Sequence, residues 1–266
     1  MIFVKLGWGD KIRVVSPATS LGFVPVEQRR IAQSGGRGSG CSARSPGTSR
    51  CWTSSSPLRW RRISDLHEAF ADPGVRGMLF TLAGYDSNGL LGYPDYDLIR
   101  ASPKILRGFS DITALATAIY DRTGFVTYSD PHFSTLGMRC GLDYTLKYFE
   151  RCVMREEPFG VPPADHWSHD PWYPDQENRD LVSNPGYEVV HEGEAEGRLL
   201  GEISALYASC SGSLSCRTLR DPCSYWRTTR RSCPFTSTGC CNRSSTSRAL
   251  RGCGTSCSGG SRGSRR

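Results

Sequence analysis

The last 59 residues, 208–266, contain no lysine, no glutamate and no histidine. Residues 33–60 contain no lysine, no glutamate and no aspartate. Between them these stretches hold fifteen arginines, ten of the chain's twelve cysteines and a single acidic residue, Asp221. Neither has helical or strand periodicity over a useful window. Both are rich in Ser, Gly, Arg and Cys and poor in aliphatics. Such a composition does not offset the cost of ordering a chain, so both are expected to lack regular structure. They carry +14 of formal charge against a chain total of +7, which leaves −7 for everything else. The basic balance would suggest nucleic acid and the cysteine count would suggest metal or disulfides, but both features belong to these two stretches only. An Arg-rich, nucleic-acid-binding protein is the alternative function class. The tail lacks the interleaved aromatics of a stacking platform, and Cys240-Cys241 and Cys253-x-x-x-Cys257 lack the paired spacing of a structural zinc site. No nucleic acid, metal or cofactor is therefore expected.

No apolar run approaches the roughly 18 residues that cross a membrane, so no membrane partner is expected. The start, "MIFVKLGWGDKIRVV", is strand-like and has neither the apolar stretch nor the cleavage site of a signal peptide. The expected compartment is the cytoplasm. A length of 266 residues allows one large domain or two modest ones.

Between the two unusual stretches, strand and helix signals alternate. "KIRVVSP" reads as a strand, and "PVEQRRIA" as a helix start with Pro25 and Glu27 in its first turn. "RISDLHEAFA" places Ile63, Leu66, Ala69 and Phe70 on one helical face. "VRGMLFTLAG" reads as a buried strand, "KILRGFS" as the next, "DITALATAIYDRTG" as a helix stopped at Gly124, and "FVTYSDP" as one more strand. This spacing predicts an α/β fold with a parallel sheet and crossover helices. In such a sheet, sites form at the carboxyl edge of the strands. Two loops fall there, "TLAGYDSNGLL" and "RGFSDIT".

Gly108-Phe109-Ser110-Asp111, between strand and helix, has the layout of a nucleophile elbow. A tight turn lifts the serine hydroxyl out of the sheet, and the glycine two residues earlier leaves room for it. The Asp111 amide at the helix N-terminus can stabilise an oxyanion. The competing reading is that Ser110 or Asp111 simply caps the helix. The second glycine usual after such a serine is replaced by Ile112.

The run "RISDLHEAFADPGVRGMLFTLAGYDSNGLLGYPDYDLIRASPKILRGFSDITAL" resembles the LD-carboxypeptidase family of serine peptidases, and within it the microcin C immunity branch. "GDKIRVVSPAT", "TYSDPHFSTLG", "WSHDPWYPDQENRDLVSNPGYEVVHEGEAEGRLLG" and "SAL" match in the same order, so about two-thirds of the chain is covered. The resemblance implies a flavodoxin-like domain over residues 1–135 and a linker and substrate loop over 136–185. A small β-rich domain would begin at 186–207, with residues 208–266 an aberrant tail. It implies amide hydrolysis by a Ser-His-Glu triad with Ser110 as nucleophile, and an oxyanion hole from Asp111 and the Ala83-Gly84 turn. Ala83 stands where the family has glycine, in a turn that can require positive φ, and Asp130 also replaces a glycine. Trp167 and Trp172 lie in the segment that stacks on a nucleobase in immunity-type members, although ordinary packing accounts for such rings equally well. The substrate would be a murein L,D-peptide or a peptidyl or aminoacyl nucleotide, and a homodimer is compatible with the family.

His132, His166, His169 and His191 do not match the family's catalytic histidine and are expected to be surface or structural residues. No histidine follows His191 and no glutamate follows Glu202, so the triad's base and acid are not present in the tail. The genetic code suggests why. If the codons are read from their third nucleotide, Tyr225-Trp226-Arg227 yields Leu-Glu when Arg227 is an AGN codon. The codons of Cys233–Cys241 likewise permit a family-like "LPVHFDRLL". Residues from about 208 onward, and residues 33–60 in the same way, are therefore expected to be out-of-frame text, and the chain to be inactive.

Overall fold

The computed structural model describes residues 5–38, 42–44, 56–129, 131–189, 198–203 and 222–227. Lys11–Val15 (β1) alternates until it reaches Val14 and Val15, which are both buried. Helix Val26–Gly38 (α1) follows Pro25, with Glu27 in its first turn. Ser42–Arg44 (β2) pairs parallel with β1. Helix Ser56–Ala71 (α2) starts seven residues before Ile63, the first residue of its expected hydrophobic face. It packs on β1 and on Val75–Phe80 (β3) through Leu66, Ala69 and Phe70, all essentially inaccessible to solvent. Removing each large apolar side chain from water contributes about 1.5–3 kcal/mol.

Asp95 caps the short helix Tyr96–Ala101 (α3) by accepting from the amides of Asp97 and Leu98. Ile105–Arg107 (β4) is fully buried and leads into helix Ile112–Thr123 (α4), which ends at Gly124 with φ 74°. The left-handed cap is a conformation that glycine adopts without steric cost.

The sheet order is β2-β1-β3-β4, all parallel. The expected strand "FVTYSDP" is reduced to one parallel bridge, Arg107 to Tyr128, with Tyr128 N donating to Leu106 O and Gly108 N to Tyr128 O. That bridge occupies the fifth position of a flavodoxin-like 2-1-3-4-5 order, so the sequence-based fold class holds. The direction of winding reverses between β1 and β3, where ligands of such sheets bind at the carboxyl edge.

Helix Asp143–Met154 (α5) falls inside the stretch expected to be a linker, yet Phe149 and Val153 belong to the main core. Leu6 N donates to Val153 O, Lys5 Nζ donates to Cys152 O, and the Arg107 guanidinium stacks 3.4 Å from the Phe149 ring centre. The first compact unit therefore continues past residue 135. His166–Trp167 (β5) and Val182–Ser183 (β6) form a small antiparallel pair. Arg198–Ile203 (β7) pairs parallel with Pro222–Arg227 (β8). Part of the tail expected to lack regular structure is thus a strand. Backbone pairing to an open strand edge needs no side-chain periodicity, and periodicity was the signal its sequence lacks. Asp130, His191 and the rest of 33–60 and 208–266 that carried expectations lie outside the described residues.

Candidate active site

Three loops meet at the carboxyl edge of the sheet: residues 16–20 after β1, 81–87 after β3 and 108–111 after β4. Thr81 ties the first two together, with Oγ1 donating to Thr19 O and N donating to Val15 O. The Arg62 guanidinium, itself buried, donates to Pro17 O at 3.0 Å and to Asp86 Oδ2 at 2.9 Å.

Ser110 has φ 61° and is the one non-glycine residue with positive φ among the described residues. A left-handed residue bearing a Cβ costs on the order of 1–3 kcal/mol and persists only where its surroundings impose it. Here the imposition is visible. A Cβ on Gly108 would stand 2.8 Å from Phe80 Cδ2 and 3.0 Å from Ile112 Cγ2, so the chain can turn this tightly only because position 108 has none. Thr113 N donates to Ser110 O at 2.9 Å, which closes the turn into α4.

Asp111 occupies the cap position of α4, but its side chain makes no capping hydrogen bond. A capping interaction contributes about 0.5–2 kcal/mol, and Asp111 forgoes it. Its Oδ2 instead accepts from the amides of Asp86 at 3.2 Å and Ser87 at 3.1 Å, and the Ser87 hydroxyl donates to Asp111 O. Asp111 is buried, and burial pushes its carboxyl above the usual carboxylate range against the pull of the Ser87 and Asp86 hydrogen bonds. The competing reading of Asp111 as a side-chain helix cap is therefore not what the structure shows.

Gly84 lies against this cluster. A Cβ there would stand 3.0 Å from Ala18 Cβ and from Thr19 Oγ1, and 3.3 Å from Asp111 Oδ2. Neither Ala83 nor Gly84 has positive φ, so alanine at position 83 meets no backbone obstacle.

His132, expected to be a surface or structural residue, is buried beside the Ser110 turn. Its ring stacks on Phe109 with centroids 4.1 Å apart, and Nε2 lies 2.9 Å from Phe109 O. Burial pushes its pKa down to about 4, with the Phe109 carbonyl opposing. A neutral ring donating from Nε2 to a carbonyl braces the turn, and sequence spacing carried no signal for that contact.

Trp167 is 40% exposed and meets His169 edge-on, while Trp172 meets Tyr173 edge-on. Neither ring contact is with the Ser110 turn. Their segment is tied to the sheet domain by Gln28 Nε2 donating to Tyr173 O and by Gln176 Nε2 donating to Gly137 O. No cluster of metal-ligating side chains occurs among the described residues, and no helix there is long and apolar enough to cross a membrane.

Comparison with known proteins adds to this geometry. Residues 12–130 match the LD-carboxypeptidase N-terminal domain. YocD of Bacillus subtilis (strain 168), which is named for carboxypeptidase activity, is 48% identical over 198 residues, covering 74% of this chain and 61% of YocD. The microcin C7 self-immunity protein MccF of Escherichia coli is 31% identical over 150 residues, covering 53% of this chain and 43% of MccF. The crystal structure of an MccF-like protein from Bacillus anthracis str. Ames superposes with a TM-score of 0.75 at 48% identity, covering 79% of this chain and 64% of that one. The chain thus spans about three-fifths of the length of YocD and of the Bacillus anthracis protein, and less than half that of MccF.

Proposed function

We propose, from the match of residues 12–130 to the LD-carboxypeptidase N-terminal domain, that this chain is a serine hydrolase scaffold for cleaving an amide bond, with Ser110 as the nucleophile. The observation that carries this reading is the left-handed backbone of Ser110 at a strand-to-helix turn. Such strain at a side chain that could sit elsewhere without cost is characteristic of nucleophile elbows.

In this mechanism Ser110 Oγ attacks the substrate carbonyl carbon. The resulting oxyanion takes hydrogen bonds from the Asp111 amide, at the positive end of α4, and from the Gly84 amide across the crevice. A general base must accept the hydroxyl proton and return it to the leaving nitrogen. Histidine and glutamate at the family's positions are missing from the tail. Turnover is therefore proposed to be lost, leaving the elbow and the oxyanion hole. Residual acceleration from those parts is known to survive removal of a base.

The substrate class is a murein L,D-peptide or an aminoacyl or peptidyl nucleotide. The nucleotide option is supported by MccF in complex with aspartyl sulfamoyl adenosine, 25% identical with a TM-score of 0.69 and covering 79% of this chain and 65% of that one. Trp167 and Trp172 are the proposed base-stacking residues, and a cytoplasmic homodimer is the proposed form. Calorimetry with aspartyl sulfamoyl adenosine tests the nucleotide option. Binding that weakens in Trp167→Ala or Trp172→Ala supports it, and no binding, or binding indifferent to both changes, contradicts it.

A further inference from the structure

The Asp111 carboxylate spans two loops that no covalent or strand pairing joins. Asp86 and Ser87 lie 25 and 24 residues before Asp111, and both of their amides converge on one oxygen, Oδ2. The Ser87 hydroxyl returns a hydrogen bond to the Asp111 carbonyl. From the other side Arg62 holds Asp86 and Pro17 together. The second carboxylate oxygen, Oδ1, is buried and meets no hydrogen-bond partner. A group buried this deeply, giving up its helix-capping bond and leaving one oxygen unsatisfied, is held there by what Oδ2 does.

We infer that the Asp111 carboxylate is a positioning residue that sets the Gly84–Ser87 loop at a fixed distance from the elbow, so that the Gly84 and Asp111 amides converge on one oxyanion. This inference rests on the proposed role of Ser110. One residue then supplies a donor with its backbone and fixes the second donor's loop with its side chain. Gly84 fits this arrangement, because any Cβ there would press on Ala18, Thr19 and the same carboxylate.

The test uses the full chain with Asp111→Ala and Asp111→Asn. Two readouts are taken: hydrogen exchange at the Asp86 and Ser87 amides, and acylation of Ser110 by p-nitrophenyl acetate followed by intact mass. Asp111→Ala is expected to speed exchange at both amides at least about tenfold and to slow acylation by about 10²-fold, the scale of losing one oxyanion donor. Asp111→Asn keeps a carbonyl oxygen at Oδ2 and is expected to restore both readouts to within a few-fold. A role in bulk stability only would leave Asn and Ala alike once thermal unfolding is matched, and that result overturns the inference. So does unchanged exchange in Asp111→Ala. Should that variant fail to fold, Ser87→Ala, which removes only the returning hydroxyl bond, is expected to raise exchange at the Asp86 and Ser87 amides, and no change there is equally fatal. If Ser110 in the unsubstituted chain is not acylated, the proposed function fails while the exchange comparison still decides the role of Asp111.

Discussion

Gly108 and Phe80 are in contact so close that a Cβ on the glycine would stand 2.8 Å from Phe80 Cδ2. Both residues are at the sheet's carboxyl edge, and Ile112 closes the other side at 3.0 Å. Gly108→Ala is therefore expected to destabilise the fold by about 1–3 kcal/mol through overpacking. Gly92 has nothing within 4 Å of its would-be Cβ, and Gly92→Ala is expected to stay within about 0.5 kcal/mol of the parent. Denaturant unfolding of both variants checks this, and equal costs would contradict it.

The positive φ of Ser110 makes a prediction about sign. At an ordinary loop position glycine is less stable than alanine, because it has more unfolded freedom to lose. At φ 61° the order reverses. Ser110→Gly is expected to exceed Ser110→Ala in stability by about 1 kcal/mol, as read from urea midpoints. Alanine at least as stable as glycine would mean that the turn relaxes without strain.

His132 supplies a pH dependence. Its folded pKa of about 4 lies below the ordinary value of 6.5. Above pH 6.5 both folded and unfolded forms are neutral, and nothing is lost. As pH falls from 6.5 toward about 4 the unfolded chain takes up a proton that the folded one refuses, so stability declines, and it levels off once both forms are charged. Asp111, whose pKa is raised, acts in the opposite sense by taking up its proton first in the folded state. The difference between the parent chain and His132→Gln isolates the histidine. The parent is expected to lose on the order of 3 kcal/mol more than the variant between pH 7 and pH 4. Parallel curves would show that His132 is not held neutral by burial.

Much of the sheet was legible from the order of short apolar runs, because buried parallel strands need little else. The tight strand-to-helix turn is legible as Gly108-x-Ser110 for the steric reason that Gly108 displays. The partners of the Asp111 carboxylate are not legible. A helix-start aspartate resembles a cap, the competing reading, and nothing local reveals amides 24 and 25 residues away. His132 was read as structural, though its contact with Phe109 depends on a turn that sequence spacing does not encode. The β7–β8 pairing was also hidden, since backbone hydrogen bonds leave no periodic trace in Pro222–Arg227.

The out-of-frame origin of residues 33–60 and of those from about 208 onward remains a proposal with a direct check. DNA sequencing across codons 30–62 and 200–266 is expected to find insertions or deletions that restore a family-like frame, with a glutamate codon spanning Trp226 and Arg227. A clean in-frame read would contradict it.

If the chain has no catalytic base, as proposed, release of the terminal D-amino acid from an L,D-tetrapeptide is expected to fall below multiple turnover, since removing a triad member costs about 10⁴-fold or more. Chromatographic assay of the released amino acid checks this. Sustained release that Ser110→Ala abolishes would show a base supplied from elsewhere in the chain.

The most direct test of the central claim is the site of acylation. The chain is treated with p-nitrophenyl acetate, digested and mapped by mass spectrometry. The acetyl group is predicted on the peptide containing Ser110, and its formation is predicted to disappear in Ser110→Ala. Acetylation spread over other nucleophiles, with Ser110 unmodified, would contradict the assignment of this turn as a nucleophile elbow.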